Sequence, residues 1–411
     1  MNRMRTQPPI VFMLVATAVF AGPLARADVV TDWDATACEA VVQAKLNAPS
    51  ANRVVTIVQT AVYEAANAVT RRYPASGLRL EAPPGASVEA AIAAASRATL
   101  DILVPSQRAM VDSTYGAALA RIADGPAKSA GIAVGERAAA AVMAMRAADD
   151  VTSAETYRPL TSPGVYVPTV IPVVPTWPLR KPWLMESASQ FRPGPPPALS
   201  SEVWARDYNE IKAMGRKDSS SRTPEQTAIA RFWETTQPSI YHEVVISVAS
   251  APGREVTQNA RLLAAVCQAT DDALIAVFDA KYHYNFWRPV TAIRNGDNDG
   301  NPATERDPAW TPFIETPMHP EYPCAHCIVA AAVGTVLEAE IGSGEMPTLA
   351  ATSPTADGAV RSWTTVDDFI QEVANARIWD GVHFRTSTEV GAGMGRKVGE
   401  LAVARYMQQD D

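Results

Sequence analysis

The chain has 411 residues and a formal net charge of −8, with 44 Asp and Glu against 36 Lys and Arg. That balance argues against nucleic acid or an anionic membrane surface as a partner. Any bound anion must be held by cations gathered locally. The length suffices for one large core or two.

Arg3 and Arg5 precede an apolar run over 10–22, and Ala25 and Ala27 follow in an A-x-A pattern. This order reads as a secretory signal peptide over 1–27, with an apolar part too short to span a bilayer comfortably. The expected location is periplasmic or secreted, without stable membrane insertion. The four cysteines then allow several pairings. Cys324 and Cys327 are close enough to pair locally and Cys38 with Cys267 would be the other bond, or all four are free thiols.

Residues 28–150 read as a helical region. Val54, Val55, Val58, Ala61, Val62, Ala65, Ala66 and Val69 trace one apolar helix face. Further helices are expected over 88–103, from Val111 to Ile122 and over 132–145, packed closely through their many small residues. Residues 151–200 differ. Eleven of the 32 prolines fall between Pro159 and Pro197, with Trp177 and Trp183 among them. Proline excludes a helix interior, and the tryptophans require burial. A long irregular connection that wraps over helices and walls a cleft is expected.

Helices resume in 201–411. Thr223-Pro224-Glu225-Gln226 has the form of a capping box with Pro at N1. A long helix is expected from Val256 to Tyr282, another from Val366 to Arg377, and a last one from Thr388 to Tyr406. The last contains Gly391, Gly393, Gly395 and Gly399, which suit a helix only where a neighbour approaches closely. The fold class is all-α.

Three local groups carry the chemistry. The first is Lys281 to Arg288-Pro289, where the spacing of nearly two helical turns would put Lys281 and Arg288 on one face. In the second, Pro323-Cys324-Ala325-His326, the peptide lies at a predicted helix N-terminus, which favours an anion. The third runs from Arg377 to His383, with Gly381 ending a helix so that His383 turns back. Together they offer three cations, two histidines and free backbone N–H groups, a set suited to a tetrahedral oxyanion. One histidine would attack or coordinate the central atom, and the other would give a proton to an oxygen.

The order Lys281-x6-Arg288-Pro289, then Pro323-Cys324-Ala325-His326, then Ala376-Arg377-x5-His383 resembles the signature K-x6-RP, P-S-G-H, S-R-x5-H. That signature belongs to the phosphatidic acid phosphatase type 2/vanadium-dependent haloperoxidase superfamily. The wider chain, over roughly 52–407, looks like its bacterial haloperoxidase-related branch. The resemblance implies two packed helical bundles joined by the Pro-rich connection. It implies that Lys281, Arg288 and Arg377 hold phosphate or vanadate, assisted by the N–H groups of Cys324 and Ala325. His326 would be the acid/base. His383 would ligate vanadium in a peroxidase or form a phosphohistidine in a phosphatase.

Cys324 and Ala325 stand where the family carries Ser and Gly, and Ala376 where it carries Ser. A thiol is a weak donor, so a contact to the anion is weakened, and a Cys324–Cys327 disulfide would protect it from peroxide. His319 stands where chloride-oxidising relatives carry an aromatic residue, which marks it as a halide or substrate pocket residue, weakens a claim to chloride oxidation and leaves bromide, iodide or no halide open. The expected function is a vanadate-dependent haloperoxidase acting on peroxide and halide. The alternatives are an acid phosphatase that needs no cofactor and acts on a phosphate ester, or a non-catalytic oxyanion-binding protein.

Overall fold

The computed structural model describes residues 28–74, 78–149 and 157–407. The signal peptide expected over 1–27 lies outside them. The chain runs through α1 (Val29–Gln43), α2 (Ala48–Thr70), α3 (Val88–Leu103), α4 (Arg108–Ala120) and α5 (Pro126–Arg146). After the Pro-rich stretch come α6 (Glu202–Met214), α7 (Pro224–Phe232), α8 (Pro238–Ala249), α9 (Val256–Tyr284) and α10 (Pro289–Arg294). The last three are α11 (Ala325–Ile341), α12 (Val366–Trp379) and α13 (Arg385–Tyr406). Among the described residues the only sheet is one antiparallel hairpin, Leu349–Ser353 with Ala359–Trp363. No described helix is long and apolar enough to cross a membrane.

Two groups of helices share the core. α2, α3 and α5 pack against one another, as do α9, α11 and α13, and α2 meets α9 between them. The small residues decide how close the helices come. A Cβ on Gly135 would lie 2.2 Å from the Ala91 carbonyl, so α5 rests on the backbone of α3. Gly391, Gly395 and Gly399 do the same for α13 on α11, whereas Gly393 meets nothing. Three of the four glycines thus fit the expectation of close approach. The capping box at Thr223 and Gln226 is formed as expected.

The Pro-rich stretch has one short 3-10 turn, Trp177–Leu179, and is otherwise irregular. Its anchor is polar. The Asp272 carboxylate on α9 accepts N–H bonds from Trp183, Leu184 and Met185 at 2.7–2.8 Å. The Trp183 indole donates to Asp271 at 2.7 Å, and the Arg146 guanidinium stacks on its ring. Tyr282 donates to the Val173 carbonyl. The stretch is therefore held along the length of α9.

One expectation about geometry is corrected. Lys281 and Arg288 do not share a helix. Asn285 takes the left-handed conformation (φ 49°) and closes α9, and Arg288 is the extended N-cap residue of α10. The cations converge because the chain turns.

Candidate functional site

A cavity of about 360 Å³ opens between α9, the N-terminus of α11 and the loops around them. Val173 and Val174 from the Pro-rich stretch, Leu274 and Phe278 from α9, and Ile314 and Met318 form apolar walls. The polar lining includes His319, His326, Arg377 and His383. The connection walls the cleft, as its tryptophans and valines imply.

The three cations are buried, with Lys281 and Arg288 fully inaccessible. Lys281 Nζ donates to the carbonyls of Pro320 (3.1 Å) and Glu321 (2.8 Å). Burial, then the neighbouring Arg288, pulls its pKa well below the usual lysine range. Arg288 donates to the carbonyls of His319 and Val382, each at 2.9 Å, and burial lowers it to about 10. Arg377 donates to the Trp233 carbonyl at 2.6 Å and lies 2.6 Å from an Asp380 oxygen, while its Nε has no partner. Most of these bonds end on neutral carbonyls. They fix the cations without neutralising them.

His383 is placed by the end of α12. Gly381 adopts φ +88° against the Gly215 carbonyl, and the His383 N–H bonds back to the Arg377 carbonyl at 3.0 Å. Its Nδ1 lies 2.8 Å from Glu321 Oε1, and its Nε2 lies 3.3 Å from an Arg288 nitrogen. A guanidinium can only donate, so Nε2 accepts and the ring proton sits on Nδ1 facing the carboxylate. Burial, followed by Arg288, Lys281 and Arg377, holds His383 well below the usual histidine range. The result is a neutral imidazole with its Nε2 lone pair among cations.

His326, in the first turn of α11, is also kept neutral, by burial and then Arg377 and Lys281, and its Nε2 has no partner. His319 accepts at Nδ1 from Arg288 at 3.0 Å and meets the Phe278 ring edge-on. It therefore braces a cation as well as lining the cavity.

The helix N-terminus departs from expectation in two ways. The Cys324 N–H is already bonded to the Ser387 carbonyl at 3.1 Å, so it is not the anion donor expected. The first-turn N–H groups of Ala325 and His326 are the ones left for a ligand. Nor is there a Cys324–Cys327 disulfide: all four cysteines are free and buried. Cys324 is instead the N-cap, its sulfur accepting from the Cys327 N–H at 3.4 Å and facing the Cys327 sulfur at 3.0 Å. The Cys327 thiol donates to the Cys324 sulfur, so the two meet as a hydrogen-bonded thiol pair. Against its burial, the Cys327 hydrogen bond and Arg377 hold the Cys324 thiol below its usual range.

Two carboxylates complete the site and were not anticipated. Glu321 binds His383 Nδ1 and the Phe384 N–H, and Asp380 pairs with Arg377. Burial pushes each up to about 7, against the pull of the cations. Glu321 lies between His319 and His326, and its position in that run was the available signal.

The comparisons bear on the fold that carries this geometry. Residues 261–410 match the family model for the VCPO second helical-bundle domain. Over 179 residues the chain is 28% identical to vanadium chloroperoxidase of Curvularia inaequalis, a match that takes in 36% of this chain and 29% of that relative's length. The C-terminal part of the chain is thus similar to the vanadium-haloperoxidase branch of the phosphatidic acid phosphatase type 2/vanadium-dependent haloperoxidase superfamily. Solved structures resemble its fold over most of the chain. A bacterial vanadium-dependent iodoperoxidase superposes with TM-score 0.79 at 23% identity, covering 93% of this chain and 97% of that one. A bacterial vanadium-dependent chloroperoxidase in its holo form gives 0.72 at 18% identity, over 91% and 95% of the two chains.

Proposed function

We propose that the protein is a vanadate-dependent haloperoxidase that oxidises bromide or iodide with hydrogen peroxide. The observation that carries the reading is that three buried cations act on His383, whose unprotonated Nε2 accepts from Arg288 at 3.3 Å at the cavity, while neither nearby carboxylate keeps its ordinary acidity. Such a site fits vanadate. Lys281, Arg288 and Arg377 would hold the oxygens, and His383 Nε2 would ligate the metal. The first-turn N–H groups of Ala325 and His326 would add two donors. Bound vanadate supplies activation of peroxide and oxygen transfer to the halide.

The chain's own residues do the rest. Glu321 holds the His383 ring by Nδ1, so Nε2 stays unprotonated and aimed at the ligand. His326 Nε2, unpartnered at the cavity edge, is placed to exchange a proton with an apical oxygen. Lys281 supplies positive charge beneath that oxygen set, and the apolar walls exclude water from it. His319 replaces an aromatic wall with a polar one, which supports a larger, more easily oxidised halide over chloride.

A specific observation supports a second reading. The same neutral His383 Nε2, activated through Glu321, is a competent nucleophile toward a phosphate ester without any cofactor. One experiment decides. The purified chain is assayed for vanadate-dependent bromide and iodide oxidation, and separately for phosphate-ester hydrolysis. Halide oxidation that requires vanadate and falls at least about 1,000-fold in His383→Ala is expected. Vanadate-inhibited hydrolysis without halide oxidation would replace the first reading by the second. Tight phosphate binding with neither activity would leave an oxyanion-binding protein.

A further inference from the structure

Away from the oxyanion site, a second set of buried ligating side chains joins three helices. Asp34 and Cys38 lie one turn apart on α1, His242 comes from α8 and Cys267 from α9. All four are at least 95% buried. A carboxylate oxygen of Asp34, the Cys38 sulfur and a ring nitrogen of His242 lie within 4.8 Å of one another. The Cys267 sulfur approaches the His242 Nε2 at 3.7 Å. None of these groups contributes to the cavity described above.

We propose that Cys38, Cys267 and His242, oriented by Asp34, form a three-ligand site for one thiophilic transition-metal ion of the Zn(II) class, whose fourth position is taken by a solvent-derived ligand. The distances fit. Around a tetrahedral zinc with Zn–S near 2.3 Å and Zn–N near 2.0 Å, sulfur and nitrogen ligands are about 3.5 Å apart. The Cys267–His242 separation is close to that edge before any ion draws the ligands in. Two sulfurs with one imidazole select a borderline-soft ion over magnesium or calcium.

The surroundings are organised for the same purpose. Asp34 Oδ1 lies 2.8 Å from His242 Nδ1 and also accepts from Gln59 Nε2 at 2.8 Å. A carboxylate on Nδ1 of a metal-ligating histidine fixes the tautomer and leaves Nε2 for the ion. Gln59 is fully buried, and its Oε1 has no partner, so the polar inventory beside Asp34 is incomplete. On binding, both thiols would lose their protons to solvent, the imidazole would coordinate in its neutral form, and the ion's redox state would not change. The ion would tie α1 and α8 to the middle of α9, on which the oxyanion site is also built.

The test uses the full chain, purified without chelator under reducing conditions. Zinc is measured by elemental analysis, and cobalt(II) replaces it for spectroscopy. The expected result is one ion per chain and a thiolate-to-cobalt charge-transfer band with tetrahedral visible bands. Both should vanish in Cys38→Ser and in Cys267→Ser. Asp34→Asn should weaken binding by about 10–100-fold. A chelator should lower the melting temperature of the wild type and not of the cysteine variants. Vanadate or phosphate affinity at the other site should persist in all of them. If a cysteine variant does not fold, the chelator and cobalt measurements on the wild type still decide. The proposal fails if reduced wild-type protein takes up neither zinc nor cobalt. It also fails if the native chain carries a Cys38–Cys267 disulfide, detected as a mass shift on alkylation after reduction.

Discussion

Two buried clusters of charged residues are built against the same long helix, α9, and their charge balance differs. Around Asp271, Arg53 pairs with Asp271 and Asp149, and Arg146 lies 3.6 Å from Asp149 while stacking on Trp183. Arginines and carboxylates match there, and the remaining Asp272 is held by three backbone N–H groups. Around Lys281, further along α9, three cations face two carboxylates that burial has pushed to about 7. An unpartnered guanidinium Nε occurs in both clusters, at Arg53 and at Arg377. An orphaned nitrogen therefore does not distinguish them. What does is uncompensated positive charge facing a cavity, which only the second cluster has. The first stabilises the fold, and the second, on the function proposed above, is completed by an anion.

Substitutions should expose that difference. Arg53→Met leaves Asp271 and Asp149 buried without their partner and should destabilise the protein by about 3–5 kcal/mol. Urea unfolding measures this, and anion affinity of the folded fraction should be unchanged. Asp272 gives a pH signature in the same cluster. Burial raises its pKa from 3.8 to about 6. The folded protein thus keeps a proton that the unfolded chain has already released. That contribution to stability is complete below pH 3.8 and is lost as pH rises through about 6. Relative to Asp272→Asn, the wild type should lose about 3 kcal/mol across that window, read from paired unfolding curves.

Lys281→Met tests the other cluster. Removing one charged donor should weaken vanadate or phosphate binding by about 10–100-fold, the equivalent of roughly 1.5–3 kcal/mol, measured by calorimetry. If it unfolds the chain as Arg53→Met does, the cradle is structural and the contrast collapses. Cys324→Ser should matter least. Its N–H and sulfur face Ser387 and Cys327, so anion affinity should change by no more than about fivefold, near 1 kcal/mol. A larger gain would mean that the restored hydroxyl reaches the ligand.

Much of this was legible in the chain. Apolar periodicity placed α2, α3 and α9, and proline density placed the irregular connection. The three motifs named Lys281, Arg288, His326, Arg377 and His383, which do line or support one site. What was not legible depends on contacts between distant residues. Asn285 breaks α9 by taking a left-handed conformation that asparagine tolerates without announcing it. Glu321 acquires its role only when the turn at Gly381 brings His383 against it. Cys324 became a helix cap rather than a disulfide partner because the first turn of α11 needed an acceptor there. The pairing of Asp34 and Cys38 with His242 and Cys267 spans more than two hundred residues, beyond the reach of any local pattern.

The glycine contacts between α11 and α13 set more than packing density. His326 stands in the first turn of α11, and His383 stands two residues before α13 begins. Gly391 lies against the carbonyl of Cys324, the residue that starts α11, and a Cβ there would come within 2.6 Å of it. The spacing of the two histidines is therefore gauged by the contact of two rigid helices, with the loops that precede them only following. A substituent as small as a methyl group at Gly391 would act as a shim, widening the gap between His326 and His383 while leaving every charged residue in place.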